Sequence, residues 1–332
     1  MGLARFAALR LAAMFAIAIV ISMVLFASVE LLPGDAATTI LGQNATPERL
    51  DQLRDQLQLD ESPIQRYASW AGGILQGDLG TSVVTQRPVW EVIETPVRNS
   101  IILAGFSLGA MALVAVGLGV LSGFRPGSRA DRATTLTTSA IASVPDFVLG
   151  GVFVAVFASW LDLFPAVSLV PVGTSPLDDP IVLVLPAMTL AVVGGAFGAR
   201  LIRAVVADAS SSPHVEAAML AGLPTSRVVL RHLLPSIVAP VAQVLASLVP
   251  YAVGGTIVVE RLFGYPGLGA ALVANLGARD VTVVEAIGLL LTIVVLLALF
   301  TADVIGAAAD PRRRVGRQTE IDIREPATAN AS

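Results

Sequence analysis

The chain has 332 residues, is 55% apolar and 14% charged, and has a mean hydropathy of +0.78, which excludes an ordinary soluble domain and indicates several membrane spans. Its net charge of −4 argues against a nucleic-acid partner, which would require a basic face. It has no cysteine and, among its 21 basic residues, no lysine, which excludes disulfides, thiolate metal sites and a Walker A phosphate loop on this chain.

The first apolar segment extends from Leu11 to Val29 and measures about 28 Å at roughly 1.5 Å per residue, close to a full membrane span. It follows Arg5 and Arg10, a pattern that is also typical of a secretory signal. Because Ala27-Ser28-Val29 is a poor cleavage site, we predict that the segment is retained as the first span.

A long polar segment, residues 30–99, follows and is predicted to form an external loop. Within it, Thr46 and Pro47 mark the beginning of a helix. One face of this helix carries three leucines, and we expect that face to lie on the membrane surface or on the spans. These leucines are Leu50, Leu53 and Leu57.

Five further apolar segments complete a predicted all-α membrane protein with six spans. They cover about 101–121, 135–160, 181–206, 237–259 and 284–306. Arginine occurs in the short loops at 123–132 and 207–236 and in the tail, whereas the loop 161–180 has no basic residue. By the positive-inside rule, both termini and the 207–236 loop are predicted to be cytoplasmic. The polar tail 318–332 is predicted to be disordered.

The 207–236 loop contains its own helix boundaries. Ser212 can cap a helix that begins at Pro213, and Gly222 can end that helix in a left-handed turn. Pro224 and Thr225 then begin a second helix, so we predict a helix-turn-helix that lies outside the bilayer. The first helix is expected to present small side chains on a surface that another backbone can approach closely, namely those of Ala217, Ala218 and Ala221.

This loop resembles the EAA signature of ABC-importer permeases, which is carried here by Glu216-Ala217-Ala218, Gly222 and Leu234-Pro235. Further stretches, 143–147, 254–269 and 279–280, are similar to the peptide and nickel branch of that family, so that the resemblance covers nearly the whole chain. It implies the type I ABC-importer permease fold within a domain of residues 1–317, in a bacterial or archaeal inner membrane. It also implies that the loop couples to a separate ATPase.

The residues that the resemblance assigns to this coupling are Glu216, Ala217, Ala218, Gly222 and Pro235. Arg227 and Arg231 are four residues apart, on one face of the second helix. We expect them to face either acidic groups of the ATPase or lipid phosphates.

The implied function is that of a permease subunit that forms half of the translocation pathway of an ATP-driven importer, for peptides or a similar solute such as a nickel chelate. The expected partners are a second homologous permease, two ABC ATPase subunits, an extracytoplasmic substrate-binding protein and membrane lipid. ATP hydrolysis is expected on the partner chain, so no catalytic residue, metal site or cofactor is predicted here. Closure of the ATPase pair would move the loop and switch the spans between inward-open and outward-open states.

A second function class is raised by Gly105-Phe106-Ser107-Leu108-Gly109, which fits the G-x-S-x-G nucleophile pattern and would indicate an intramembrane serine protease. A serine nucleophile needs a base, yet the two histidines, His214 and His232, lie in the predicted cytoplasmic loop. Small residues that let two helices pack closely offer another explanation, one that also covers Gly119 and Gly123. A self-sufficient channel or secondary carrier is the third possibility, although it does not require an EAA loop.

Three acidic residues, Asp146, Glu285 and Asp303, lie in or at the edge of predicted spans. A carboxylate at the centre of a span costs roughly 2.5–3.5 kcal/mol on insertion, so such groups usually face protein or water. Asp146 and Asp303 are expected near the cytoplasmic ends of their spans. One explanation is a structural ion pair or snorkelling; the other is that Asp146, with Pro145, faces the translocation path.

Overall fold

The structure is a computed structural model, and it describes residues 3–30, 46–56 and 62–309. Its long helices are Leu3–Glu30 (span 1), Val89–Gly123 (span 2), Val184–Ser210 (span 4), Leu234–Phe263 (span 5) and Val281–Ala309 (span 6). Span 3 consists of Arg129–Ala142 and Asp146–Phe153, the latter continuing as the π-helix Val154–Trp160. The shorter elements are Pro47–Gln56, Pro63–Leu75, the 3₁₀ turn Pro180–Leu183, Pro213–Leu220, Thr225–Val228, the π-helix Val229–Leu233, and Leu268–Ala278.

In the described ranges, five helices are long and apolar enough to cross a membrane, and the bent span 3 makes six. The predicted all-α membrane architecture is thereby confirmed. The helices are longer than the apolar segments from which they were predicted; span 2, for example, has 35 residues rather than the segment 101–121. The backbone hydrogen bonds of a helix continue past the hydrocarbon core, whereas hydropathy detects only the part inside it.

The predicted helix in the external loop begins at Pro47, and the backbone N–H of Arg49 donates to Thr46 Oγ1 at 3.4 Å. Leu57, the side chain of Leu53 and the tail 318–332 lie outside the described residues. The expectations for the shared leucine face and for tail disorder therefore stay predictions.

Span 3 is broken near its middle. Its first helix ends at Ala142, and the second begins at Asp146 after a bend of 100°. Proline lacks a backbone N–H and disfavours helical geometry at the residue before it, so the helix cannot continue through Val144 and Pro145. The sequence predicted one uninterrupted span over 135–160, and the dipeptide Val144-Pro145 divides it instead.

Spans 2 and 4 pack closely because glycine leaves room between them. A Cβ added at Gly119 would lie 2.7 Å from Ile202 Cβ, and one added at Gly123 would lie 2.7 Å from the carbonyl oxygen of Arg203. Close approach through small residues is the common way to pack helices inside a membrane, where lipid is as apolar as the side chains. The predicted role of Gly119 and Gly123 in helix packing is therefore confirmed.

A buried carboxylate joins spans 2 and 5 to the helix Leu268–Ala278. Glu260 is fully buried, and its carboxylate accepts hydrogen bonds from Ser100 Oγ (2.5 Å) and from the backbone N–H groups of Gly269 (2.7 Å) and Ala270 (3.2 Å). Gly267 lies so close to this carboxylate that a Cβ there would overlap it. Glu260 thus satisfies N–H groups at the beginning of a helix to which it does not belong.

The segment before span 2 is held by a second buried acid, Asp280. Ser82 Oγ donates a hydrogen bond to its carboxylate, as do the backbone N–H groups of Val83 (3.2 Å) and Val84 (3.4 Å). The end of the long predicted external loop is therefore attached to the residues that lead into span 6.

Candidate functional site

The EAA loop, residues 207–236, follows the end of span 4. Its first helix begins at Pro213 and ends at Leu220, and Gly222 has a φ of +72° in the left-handed region, as predicted. Ser212 precedes the helix, but its Oγ donates to the carbonyl of Ala209 at 2.5 Å instead of accepting from the helix N–H groups. The predicted side-chain cap is therefore wrong, although the helix begins where expected.

The small-residue surface is narrower than predicted. Glu216, Ala217 and Ala221 are exposed, whereas Ala218 is only 6% exposed and packs with Val215 and Val228. Residues three apart lie on the same side of a helix, so Val215 and Ala218 both face the second helix of the loop. The expectation that Ala218 lies on the open surface is wrong, because its side chain fills the helix-turn-helix instead.

The second helix of the loop is the beginning of span 5. Thr225–Val228, the π-helix Val229–Leu233 and span 5 form one continuous helix of 39 residues, Thr225–Phe263. The prediction of a second helix separate from the spans is therefore wrong. The exposed Pro235 lies two residues after Leu233, the end of the π-helix, and proline in a helix removes a hydrogen bond and clashes with the carbonyl four residues earlier. A wider π-helical turn at this point accommodates both effects.

Two arginines point outward from this continuous helix. Arg227 and Arg231 are exposed, and neither forms an ion pair with any acid in the described ranges. Arg125, Arg129 and Arg132 are likewise exposed in and after the turn between spans 2 and 3. This side of the molecule is therefore basic and available to an acidic or anionic partner.

A buried ion pair attaches span 3 to span 4 beside the EAA loop. Nε and Nη2 of Arg203 donate to the two carboxylate oxygens of Asp131, which is 3% exposed. The same carboxylate accepts from the backbone N–H of Gly127 at 2.7 Å. The sequence did not predict this pair, because nothing local connects Arg203 to an aspartate in the preceding span.

Two of the intramembrane acids have partners that the sequence did not identify. Asp303 forms an ion pair with Arg10 at 3.1 Å, which confirms the structural pair considered for it. Asp146 Oδ1 accepts a hydrogen bond from the hydroxyl group of Tyr251 at 2.6 Å. Glu285, the third acid, is buried on span 6.

Asp146 contacts span 5 well inside that helix. Its partner Tyr251 precedes Phe263, the end of span 5, by 12 residues, or about 18 Å at ~1.5 Å per residue. The expectation that Asp146 lies near the cytoplasmic end of its own span stays a prediction.

Ser107 does not have the surroundings of a nucleophile. It is fully buried in span 2, and its Oγ has no hydrogen-bond partner within the part of the chain that the structure describes. Both histidines lie in the EAA loop, and a Cβ added at Gly105 or at Gly109 would meet nothing within 4 Å. Ser107 therefore has no histidine beside it and belongs to the buried face of span 2 that also contains Gly119 and Gly123, whereas Gly105 and Gly109 make no close contact.

Two family descriptions match the sequence. Residues 115–315 match the family described as "Binding-protein-dependent transport system inner membrane component", and residues 3–104 match its N-terminal counterpart, a binding-protein-dependent transport system membrane component. The first match covers more than half of the chain and contains the EAA loop together with spans 3 to 6.

Curated relatives match over most of their length. The chain is 31% identical over 297 residues to the glutathione transport system permease protein GsiC of Pectobacterium atrosepticum, covering 89% of this chain and 94% of the relative. It is 29% identical over 295 residues to the oligopeptide transport system permease protein AppB of Bacillus subtilis, covering 88% and 93%. It is 28% identical over 305 residues to a probable peptide ABC transporter permease, y4tP, of Sinorhizobium fredii, covering 92% and 97%.

Proposed function

Because the chain belongs to the family of binding-protein-dependent transport system inner membrane components, we propose that it is the permease subunit through which an ABC importer takes up peptides. It is a multi-pass inner-membrane protein that works in a transporter complex with other subunits. The proposed cargo follows the oligopeptide and glutathione systems named among its relatives, and a nickel chelate is the alternative cargo.

The proposed complex contains a second homologous permease, two ABC ATPase subunits and an extracytoplasmic binding protein. Both termini and the EAA loop face the cytoplasm, and the long loop after span 1 faces the binding protein. ATP hydrolysis takes place on the ATPase subunits, and residues 1–317 form the permease domain. The two permeases each supply half of the pathway, with Pro145 and Asp146 on its lining in this chain.

The continuous helix Thr225–Phe263 is the observation that carries this proposal. An ATPase that holds the exposed residues Glu216, Ala217 and Gly222 would hold a rigid helix-turn-helix, because Val215, Ala218 and Val228 pack inside it. Movement of the loop would then pass along one unbroken helix into the membrane. Coupling of this kind moves span 5 without any covalent chemistry on this chain.

Reversing the charge of Glu216 and adding bulk at Gly222 are each expected to release the ATPase. Gly222 has a φ of +72°, so an arginine there adds backbone strain as well as volume at the exposed turn. The measurement is extraction of the chain from native membranes in mild detergent, with co-purifying proteins identified by mass spectrometry. We expect a Walker A ATPase and a second six-span permease with the wild type, and loss of the ATPase in Glu216→Lys and in Gly222→Arg.

Asp179→Lys is the matched control, since it reverses the charge of an exposed acid in the loop between spans 3 and 4. It should keep the ATPase. If Glu216→Lys and Gly222→Arg also keep it, the EAA loop is not the docking surface; if the wild-type chain is isolated alone and transports a solute in liposomes, it is a self-sufficient carrier.

Ser107→Ala distinguishes the transporter from a protease. Its Oγ makes no hydrogen bond in the described part of the chain, so its removal should leave ATP-dependent peptide uptake within about twofold of wild type. Uptake by inner-membrane vesicles that contain the whole complex is the measurement. An activity that is abolished by this variant and needs no ATP would indicate the intramembrane protease instead.

A further inference from the structure

Asp146 is a carboxylate in span 3 that forms no ion pair with any cation among residues 3–30, 46–56 and 62–309. Its Oδ1 accepts one hydrogen bond, from the neutral hydroxyl group of Tyr251, at 2.6 Å. No arginine or histidine in the described ranges forms an ion pair with it, in contrast to Asp131 and Asp303, which pair with Arg203 and Arg10. The Asp146 carboxylate is therefore oriented by a hydrogen bond but forms no ion pair with a described residue.

The other carboxylate oxygen of Asp146 has no donor in the described part of the chain. Oδ2 accepts no hydrogen bond from a described residue, and on span 5 it lies beside the buried Gly255. Asp146 is half-buried, and the adjacent Pro145 and Phe147 are exposed. A partly exposed acceptor without a donor of its own can receive one from outside the chain.

Asp146 is the first residue of the helix Asp146–Phe153, and the partial positive charge at the N-terminal end of a helix stabilises an acidic side chain there. A carboxylate that faces lipid within the hydrocarbon core costs roughly 2.5–3.5 kcal/mol, so the exposed side of Asp146 is expected to face water or another protein.

We propose that Asp146 and Tyr251 form a binding site for a cationic group of the transported solute, an ammonium or a guanidinium. Asp146 binds the cation through Oδ2, and Tyr251 is a positioning residue that holds Oδ1. This inference deepens the proposed function and rests on it, because the cation is taken to belong to the imported peptide. It makes the chain selective for the charge of its cargo.

The test compares uptake of three tripeptides, Ala-Lys-Ala, Ala-Ala-Ala and Ala-Glu-Ala, by cells that carry the whole importer and lack other peptide importers. Asp146→Asn keeps an acceptor for Tyr251 and removes the charge. We expect the ratio of Ala-Lys-Ala to Ala-Glu-Ala uptake to fall about tenfold, as befits one charge-assisted hydrogen bond. Tyr251→Phe should lower the ratio less, and Asp303→Asn, whose carboxylate is already paired with Arg10, should leave it unchanged.

Each other outcome has a distinct meaning. An unchanged ratio in Asp146→Asn, or an equal fall for all three peptides, would overturn the cation site, since a purely structural residue does not discriminate between peptide charges. If the second permease no longer co-purifies with the Asp146→Asn variant, the cation site would also be overturned, because Asp146 would then bind a cation of that subunit. If the wild-type importer takes up none of the three, the proposed peptide function fails first, and the cation site falls with it.

Discussion

Replacing Glu260 by alanine is expected to lower the free energy of unfolding by about 3 kcal/mol, because it leaves several buried donors without their acceptor. The carboxylate now accepts from Ser100 Oγ and from the N–H groups of Gly269 and Ala270, at distances of 2.5, 2.7 and 3.2 Å. Ser100 Oγ in turn accepts from the N–H of Leu268 at 2.7 Å, so the loss extends to the first turn of the helix Leu268–Ala278. Span 2, span 5 and this helix would lose their shared connection.

Thermal unfolding of the purified complex in detergent, followed by tryptophan fluorescence, measures this effect. Glu91→Ala is the matched control, since Glu91 is exposed and pairs with Arg87 four residues before it, an arrangement worth at most a few tenths of a kcal/mol. Equal melting temperatures for the Glu260 and Glu91 variants would contradict the assignment of Glu260 as the junction of these elements.

Substituting leucine for Gly119 is expected to prevent spans 2 and 4 from packing. A Cβ alone at this position would lie 2.7 Å from Ile202 Cβ and Cγ2 and 3.0 Å from the carbonyl oxygen of Ala199, and leucine adds three more carbon atoms. Overpacking of a tight contact commonly costs about 1–3 kcal/mol. Rotation of a side chain cannot remove this clash completely, because one of the contacting atoms is the backbone carbonyl oxygen of Ala199. We therefore expect little folded protein to reach the membrane.

Gly117 offers a control on the same helix. It is exposed, and a Cβ there would meet no atom within 4 Å, so Gly117→Leu makes the same change in helix propensity without the clash. The measurement is the yield of monodisperse protein after detergent extraction. Comparable yields from Gly117→Leu and Gly119→Leu would contradict the close packing of spans 2 and 4 described above.

Asn99 and Tyr265 add two further buried hydrogen bonds between elements, on the side of the molecule that carries Pro266 and Gly267. Asn99 Nδ2 donates to the carbonyl of Pro266 at 2.9 Å, and the hydroxyl of Tyr265 donates to the carbonyl of Asn99 at 2.8 Å. Burial raises the pKa of Tyr265 above its usual range, so this residue remains a donor at physiological pH. These hydrogen bonds connect span 2 to the turn that follows span 5.

Local sequence features determined most of the architecture. Long apolar segments predict spans because the backbone of a chain in lipid must form its own hydrogen bonds, which a helix does within one segment. Pro47 and Pro213 predicted where helices begin and Gly222 where one ends, since these residues restrict or free φ at the position itself. The resemblance in the EAA loop identified the family from a few residues of fixed spacing.

Only the tertiary structure shows which residues far apart in the chain are in contact. Ser100 and Glu260 are 160 residues apart, Tyr251 and Asp146 are 105 apart, and Arg203 and Asp131 are 72 apart. Hydropathy and helical periodicity describe neighbours along one helix, and they do not say which face of it meets which other helix. For the same reason the burial of Ala218, the contact of Asp146 with span 5 and the union of the second EAA helix with span 5 became apparent only once the helices were packed.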